Sequence, residues 1–336
     1  MSKRQFYFMS VLGFVMLITF LSGCGSSNTE SNAQSESGEG AEEIDYPNQD
    51  VDIVVPFKPG GASDAHARIL ERHFKDEFGH ALSFIYKPGG AAAVGSAEVA
   101  QMEGDGSTIM AANYPDIVVQ PLTGSGSFKS EDFEYIAQVS SDPAILAVPS
   151  DSSFTSLEEL VKEAKEKPGE ISIGAPLNTS LHLSLLDFME QSGIDVTIIP
   201  YTGGAEAKSR LLGGHLDAAW VNLGVMIEEI DSIQPLAVTT EERYDQIPDV
   251  PTFTEQGYEI VSALGRIYVT PKGISDEKLK ILREGISNIA ENPDYQKEMS
   301  NIGQSVKFIN GEEVDKMVNE YKEYAKELIE KHNLSK

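Results

Sequence analysis

In this 336-residue chain, the segment Phe57-Lys58-Pro59-Gly60-Gly61-Ala62-Ser63-Asp64-Ala65-His66-Ala67-Arg68 carries the residue types best suited to holding a ligand. It is a glycine-bearing turn between an apolar run and a helical pattern, and turns at the carboxyl ends of strands are where open α/β sheets take ligands. The first amides of a helix point into such a turn and together carry about half a positive charge, so a carboxylate fits there without a basic side chain. Gly60 and Gly61 let backbone approach a ligand, Ser63 is placed to cap the helix, and Lys58 adds a cation. Asp64 suits two roles, a ligand group or a helix-start carboxylate paired with Arg68 at i+4. Asn113 and Asn222 end strand-like runs, where an amide either reaches a ligand or caps a turn. Neither a spaced-glycine dinucleotide fingerprint nor Gly-Lys-Ser/Thr is present, which argues against a nucleotide loop. No nucleophile with its base, no paired carboxylates in matching turns, no metal set and no cofactor loop can be read either. The chain reads as a binder without cofactor or metal, not as an enzyme.

A scaffold of alternating strands and helices must position these residues. Val51 to Phe57 is nearly continuous in β-branched residues, as for a strand covered on both faces. Ala67, Leu70, Phe74 and Phe78 then follow at helical spacing. Strand-like runs recur near 82–86, 108–113, 135–139 and 144–149. A second set begins at Ser156 and Glu159, a capping-box pattern ahead of Leu157, Leu160, Val161 and Ala164. It continues with strand-like runs at 171–175, 196–201, 217–222 and 233–239, and helical patterns near 180–191 and 204–212. Beyond Pro248–Pro251 come a strand at Ile267–Thr270 and two helices, the first with Leu279, Leu282, Ile286 and Ile289 on one face, the last with Val314, Met317, Tyr321, Tyr324 and Leu328. Trp220 and Met226 are assigned to the core. The pattern predicts two α/β units, each around a mostly parallel sheet.

Lys3 and Arg4 precede an apolar run from Phe6 to Phe20, and Leu21-Ser22-Gly23-Cys24 follows, the order of a secretory signal peptide over residues 1–23. Cys24 is the single cysteine, so no intramolecular disulfide can form. Leu-Ser-Gly-Cys resembles a bacterial lipobox, with Cys24 the lipidated first residue of the mature chain and residues 24–45 a polar, flexible tether. The formal charge of -27 becomes -29 once Lys3 and Arg4 are removed, which disfavours nucleic acid and anionic membrane as partners. Screening within ~8 Å leaves a local pocket free to bind an anion.

The motifs, taken in order, resemble the substrate-binding proteins of tripartite tricarboxylate transporters, the Bug family. They are Tyr46-Pro47, the pattern from Pro59 to Arg68, Lys87-Pro88-Gly89 with Gly95, Gly104-Asp105-Gly106, Pro200-Tyr201-x-Gly203, Leu212-x-Gly214-x-Leu216-Asp217, Leu236 to Thr239, Pro248 to Thr252 and Glu255-x-Gly257. The resemblance runs from Tyr46 to about Leu328. It implies a type II, Venus-flytrap periplasmic-binding-protein fold, with lobe 1 built from residues 46–143 and 252–336 and lobe 2 from 144–251. It also implies a ligand carboxylate held between the first loop and a second loop, here Gly174 to His182. Thr179 stands where the family usually has serine, Asn178 where it has glycine, and Lys58 where it has proline. His182 is expected to be structural or hydrogen-bonding, since no second histidine or cysteine stands at metal-ligand spacing. Arg266 lies in a stretch resembling the one that enters the cleft. With Lys58 it is a candidate cation for the anion, the alternative being surface charges paired or solvated. The resemblance implies a receptor delivering a di- or tricarboxylate or similar anion to multi-span transporter subunits; the lipobox adds an anchor on the outer face of the cytoplasmic membrane, and a monomer is expected. A solute-sensing lipoprotein acting on a signalling partner would share every one of these features.

Overall fold

Strand β1 (Val51–Val55) sends Val51, Ile53 and Val55 into one apolar core and Val54 into another, the period-two alternation of a strand covered on both faces. The computed structural model describes residues 44 to 302 and 304 to 335. The expected signal peptide, Cys24 and nearly all of the tether lie outside the described residues. Helix α1 (Ala62–Phe78) buries Ala67, Leu70 and Phe74 at the anticipated spacing and ends on Gly79, whose φ of 73° closes the helix in the left-handed region. β2 (Leu82–Tyr86), α2 (Ala93–Val99), β3 (Thr108–Tyr114) and α3 (Asp116–Leu122) complete the first run.

β4 (Phe133–Pro149) is a single 17-residue strand that belongs to both halves of the molecule. Beyond it come α4 (Leu157–Glu166), β5 (Ser172–Ala175), α5 (Ser180–Ser192), β6 (Thr197–Pro200), α6 (Gly204–Leu212), β7 (Ala218–Asn222), α7 (Leu223–Met226) and β8 (Ile233–Val238). Ser156 caps α4 by accepting from the Glu159 amide, while the Glu159 carboxylate reaches back to the Thr155 amide instead of Ser156. The chain returns through β9 (Ala263–Pro271) and ends with α8 (Asp276–Glu291), α9 (Pro293–Asn301), β10 (Val306–Asn310) and α10 (Gly311–Lys331).

The sheet runs β2-β1-β3-β9-β4-β7-β5-β6, with β10 and β8 also paired to β4. Parallel pairing is confined to β2-β1-β3 and to β7-β5-β6. β9, β10, β7 and β8 all meet β4 antiparallel, and β9 meets β3 antiparallel. Each half is therefore mixed and not mostly parallel: the strands that carry the chain between halves cannot be joined by the helical crossovers that parallel neighbours need.

Two cores flank each half. In the second half, Ala218 and Trp220 of β7 face one core while Ala219 and Val221 face the other. Trp220 and Met226 are fully buried. Phe253 and Ile260 pack with Trp220, so the chain leaves the second half near Ala263, beyond the expected residue 252. Outgoing and returning strands touch there, Pro143 opposite Ala263. Helix α10 docks on the first half through Val314 and Val318, and its far end packs Leu328 and Ile329 with Val119 of α3 and Leu183 of α5.

Candidate functional site

The turn after β1 is held open by its own aspartate. Gly60, with φ of 81°, takes a conformation that glycine adopts without strain, and its amide donates to Asp64 Oδ2 at 2.7 Å. The Tyr86 hydroxyl donates to Asp64 Oδ1 at 2.7 Å, and Arg68 Nε donates to Oδ2 at 3.2 Å. Burial pushes this carboxyl up, but the Gly60 amide, Tyr86 and Arg68 outweigh it and hold the pKa below the ordinary carboxylate value. Of the two roles open to Asp64, the contacts are those of a helix-start carboxylate that shapes the loop.

Arg266 of β9 stands beside this turn. Its Nη1 donates to Asn113 Oδ1 at 2.7 Å and to Ser63 Oγ at 3.2 Å, while its buried Nε has no hydrogen-bond partner. A cavity of about 400 Å³ is lined by Phe57, Lys58, Pro59, Gly60, Gly61, Ala62, Ser63 and Arg266. The amides of residues 62 to 64 fall in the first turn of α1, where no carbonyl of the helix can reach them. Burial lowers the Arg266 pKa, opposed by the carboxylates of Asp142 and Asp116. Nearby His66 is buried with neither ring nitrogen partnered, and burial, then Arg266, drives its pKa down to about 3. The imidazole is neutral at pH 7, leaving Arg266 to supply the positive charge. Lys58 is exposed at the rim and has no ion-pair partner among the described residues.

Several donors of the second loop are engaged within the structure. Asn178 has φ of 59°, a left-handed conformation suited to glycine or asparagine, and its amide donates to His182 Nδ1 at 3.3 Å. The Thr179 hydroxyl donates to the Pro176 carbonyl at 2.7 Å and accepts from the His182 amide at 3.4 Å, capping α5. Accepting at Nδ1 places the His182 proton on Nε2, and burial, followed by His332, lowers its pKa to about 4. His182 is thus a neutral, hydrogen-bonding histidine. The amide and hydroxyl of Ser180 both donate to Asp116 Oδ1, each at 2.9 Å. Asp116 begins α3 in the first half and Ser180 begins α5 in the second, so this carboxylate bridges the halves. Burial raises the Asp116 pKa, opposed by Ser180 and Arg266.

Asn222 lies at the point where β4 passes from one half to the other. Its side chain donates to the Asp142 carbonyl at 3.0 Å, and Asp142 Oδ1 accepts from the Gly224 amide at 2.9 Å. This is the turn-fixing alternative for Asn222. Burial raises the Asp142 pKa, opposed by the Gly224 amide and Arg266.

Residues 67–334 match the model of the tripartite tricarboxylate transporter family receptor. The chain belongs to that family. It is 31% identical over 244 residues to protein BugT of Bordetella pertussis, covering 70% of this chain and 74% of BugT. It is 30% identical over 287 residues to the UPF0065 protein in the tcbD-tcbE intergenic region of Pseudomonas sp. strain P51, covering 81% and 83%. A TctC solute-binding protein from Polaromonas superposes with a TM-score of 0.75 at 26% identity, over 85% of this chain and 99% of that one. The fold is accordingly the two-lobe periplasmic-binding-protein fold, and this tripartite tricarboxylate transporter receptor is a solute-binding protein, not an enzyme.

Within the receptor, Lys58, Gly60, Gly61, Ser63 and Arg266 share one cavity, and Asn113 joins them through Arg266. Asn178, Thr179, His182 and Asn222 do not line it. Sequence reasoning missed three residues. Asp116 was signalled by an acid directly after the strand-ending Tyr-Pro, Asp142 by an acid inside a long apolar strand, and Ser180 by its place beside the capping Thr179. No group of three or more His, Cys, Asp or Glu side chains among the described residues is arranged to hold a metal. No helix among them is long and apolar enough to cross a membrane.

Proposed function

We propose that this receptor is an exported lipoprotein, anchored through Cys24, that binds a small organic anion at the first loop between its lobes and delivers it to multi-span membrane subunits. The observation that carries the anion reading is Arg266. A guanidinium lines the cavity beside the first-turn amides of α1, with its buried Nε unpartnered. A buried donor without an acceptor costs on the order of 1 to 3 kcal/mol, and a ligand carboxylate offers the acceptor that offsets it. The family description supports a carboxylate as the anion. The leader Lys3 to Gly23 and the polar stretch after Cys24 support export and anchoring.

The connectivity supports closure of the two lobes on the ligand. The halves are connected through β4 and the neighbouring β9, a pair of strands suited to a hinge, with the Asp116–Ser180 bridge and the end of α10 also spanning them, and the first loop stands on the lobe-1 side. Binding to a monomer is the simplest stoichiometry for such a cleft. A thermal-shift screen of the chain from residue 25 against mono-, di- and tricarboxylates tests the reading. An acid present at about 100 times its dissociation constant adds ~2.7 kcal/mol of stability. If no organic acid raises the melting temperature, the anion assignment fails.

A further inference from the structure

We propose that Asp116 is a specificity-determining residue: its own carboxylate fills the anion position at the start of α5, so the cleft accepts one anionic head, held by the first loop and Arg266, and disfavours a second carboxylate directed at the second loop. The inference rests on the carboxylate reading above and narrows its ligand class.

Several donors of the second loop are already engaged. The Asn178 amide is taken by His182, the Thr179 hydroxyl by the Pro176 carbonyl, and the Ser180 amide and hydroxyl by Asp116 Oδ1. The start of a 13-residue helix is a natural anion position, and here a side chain from the opposite half already occupies it. Asp116 is no loosely held surface acid. It opens α3 immediately after Pro115, and Val119 of the same helix packs on Leu183 of α5, fixing the approach of the two helices.

Charge points the same way. Arg266 feels Asp142 and Asp116 at a distance, with an ion pair to neither among the described residues, while His66 stays neutral. One ligand carboxylate in the cavity still has Arg266 and the first-turn amides of α1 beside it. A second, aimed at α5, would meet the Ser180 donors already taken and the acidic side chain of Asp116 that takes them, a juxtaposition that disfavours it.

Calorimetry with propionate, butyrate, succinate, glutarate and adipate on the wild type, Asp116→Ala and Asp116→Asn tests this, with folding checked by circular dichroism. In the wild type, each monocarboxylate should bind at least as tightly as the dicarboxylate of similar length. In Asp116→Ala the ratio of dicarboxylate to monocarboxylate affinity should rise about tenfold or more, the scale of one relieved like-charge contact. Asp116→Asn keeps the shape without the charge and should give a smaller rise; it also serves if the alanine variant fails to fold. An unchanged or lower ratio in both variants overturns the proposal, as does a wild type that prefers dicarboxylates. That result would leave the carboxylate reading intact, whereas absence of binding by all three proteins to every acid would remove both.

Discussion

Asn113 and Arg266 face each other in register across β3 and β9, and the Arg266 guanidinium donates to the Asn113 amide oxygen at 2.7 Å. The cross-strand pair fixes the long arginine side chain beside Ser63 before any ligand arrives. A group oriented in advance loses less entropy on binding, which makes it worth more to affinity than a mobile lysine.

Arg266→Ala should therefore cost about 2 to 5 kcal/mol in binding the acid that gives the largest thermal shift, and Lys58→Ala under ~1, because Lys58 is exposed at the rim. Calorimetry on both variants measures the difference. Equal losses would mean that the cavity wall contributes no more than its rim.

His66 gives the protein a pH dependence with a definite sign. Its pKa is about 3 in the folded chain, against an ordinary value of 6.5. Between those values the unfolded state binds the additional proton, so stability falls as pH drops below about 6.5. From pH 7 to pH 5 this residue accounts for about 2 kcal/mol. Urea melts at both pH values should show His66→Gln losing correspondingly less than wild type, with the share of His182 retained in both. An identical loss in the two proteins would assign the effect to other groups.

Trp220 is the centre of the second half. Its ring lies 5.0 Å from Phe253 and 5.6 Å from Phe188, and its Nε1 donates to Ser184 Oγ at 2.9 Å. Trp220→Ala should destabilise the protein by roughly 3 to 5 kcal/mol, and Trp220→Phe by less, since most of the packing is kept. Denaturant titration of the three proteins gives the order, and a phenylalanine variant as weak as the alanine one would contradict it.

Lipidation rests on the Leu-Ser-Gly-Cys order ahead of the polar tether. Metabolic labelling with a fatty acid should mark the wild type, and Cys24→Ala should carry no label. Equal label on both would assign the anchor elsewhere or remove it.

Much of this architecture is legible in residue order because its signals are local. The β-branched run of β1, the stripe Ala67, Leu70 and Phe74, and Ser275 ahead of α8 each lie within one turn or one strand. The mixed pairing of each half is not legible, since an apolar strand buried on both faces has the same composition in either direction. The first loop could be read because glycines and helix-start residues are adjacent in sequence. The bridge from Asp116 to Ser180 joins residues 64 positions apart, and the local signal at each says nothing of the other. Only the approach of α3 to α5 makes the pair visible. Asp64 shows the converse: its segment stands out in the sequence, yet its contact with Tyr86, 22 residues on, is not legible there.

The place of β9 has a consequence for biosynthesis. It lies between β3 and β4, at the centre of the first half's sheet, yet it is encoded after the whole second half. At roughly 5 to 20 residues per second, the ~150 residues between the end of β3 and β9 take about 7 to 30 seconds to emerge. During that time β3 presents an open edge to any other extended chain, the condition under which strands pair wrongly. The second half meets no such delay, since Ile260 closes its core before β9 begins. The interval in which the nascent first half needs protection is set by the length of the segment inserted into it.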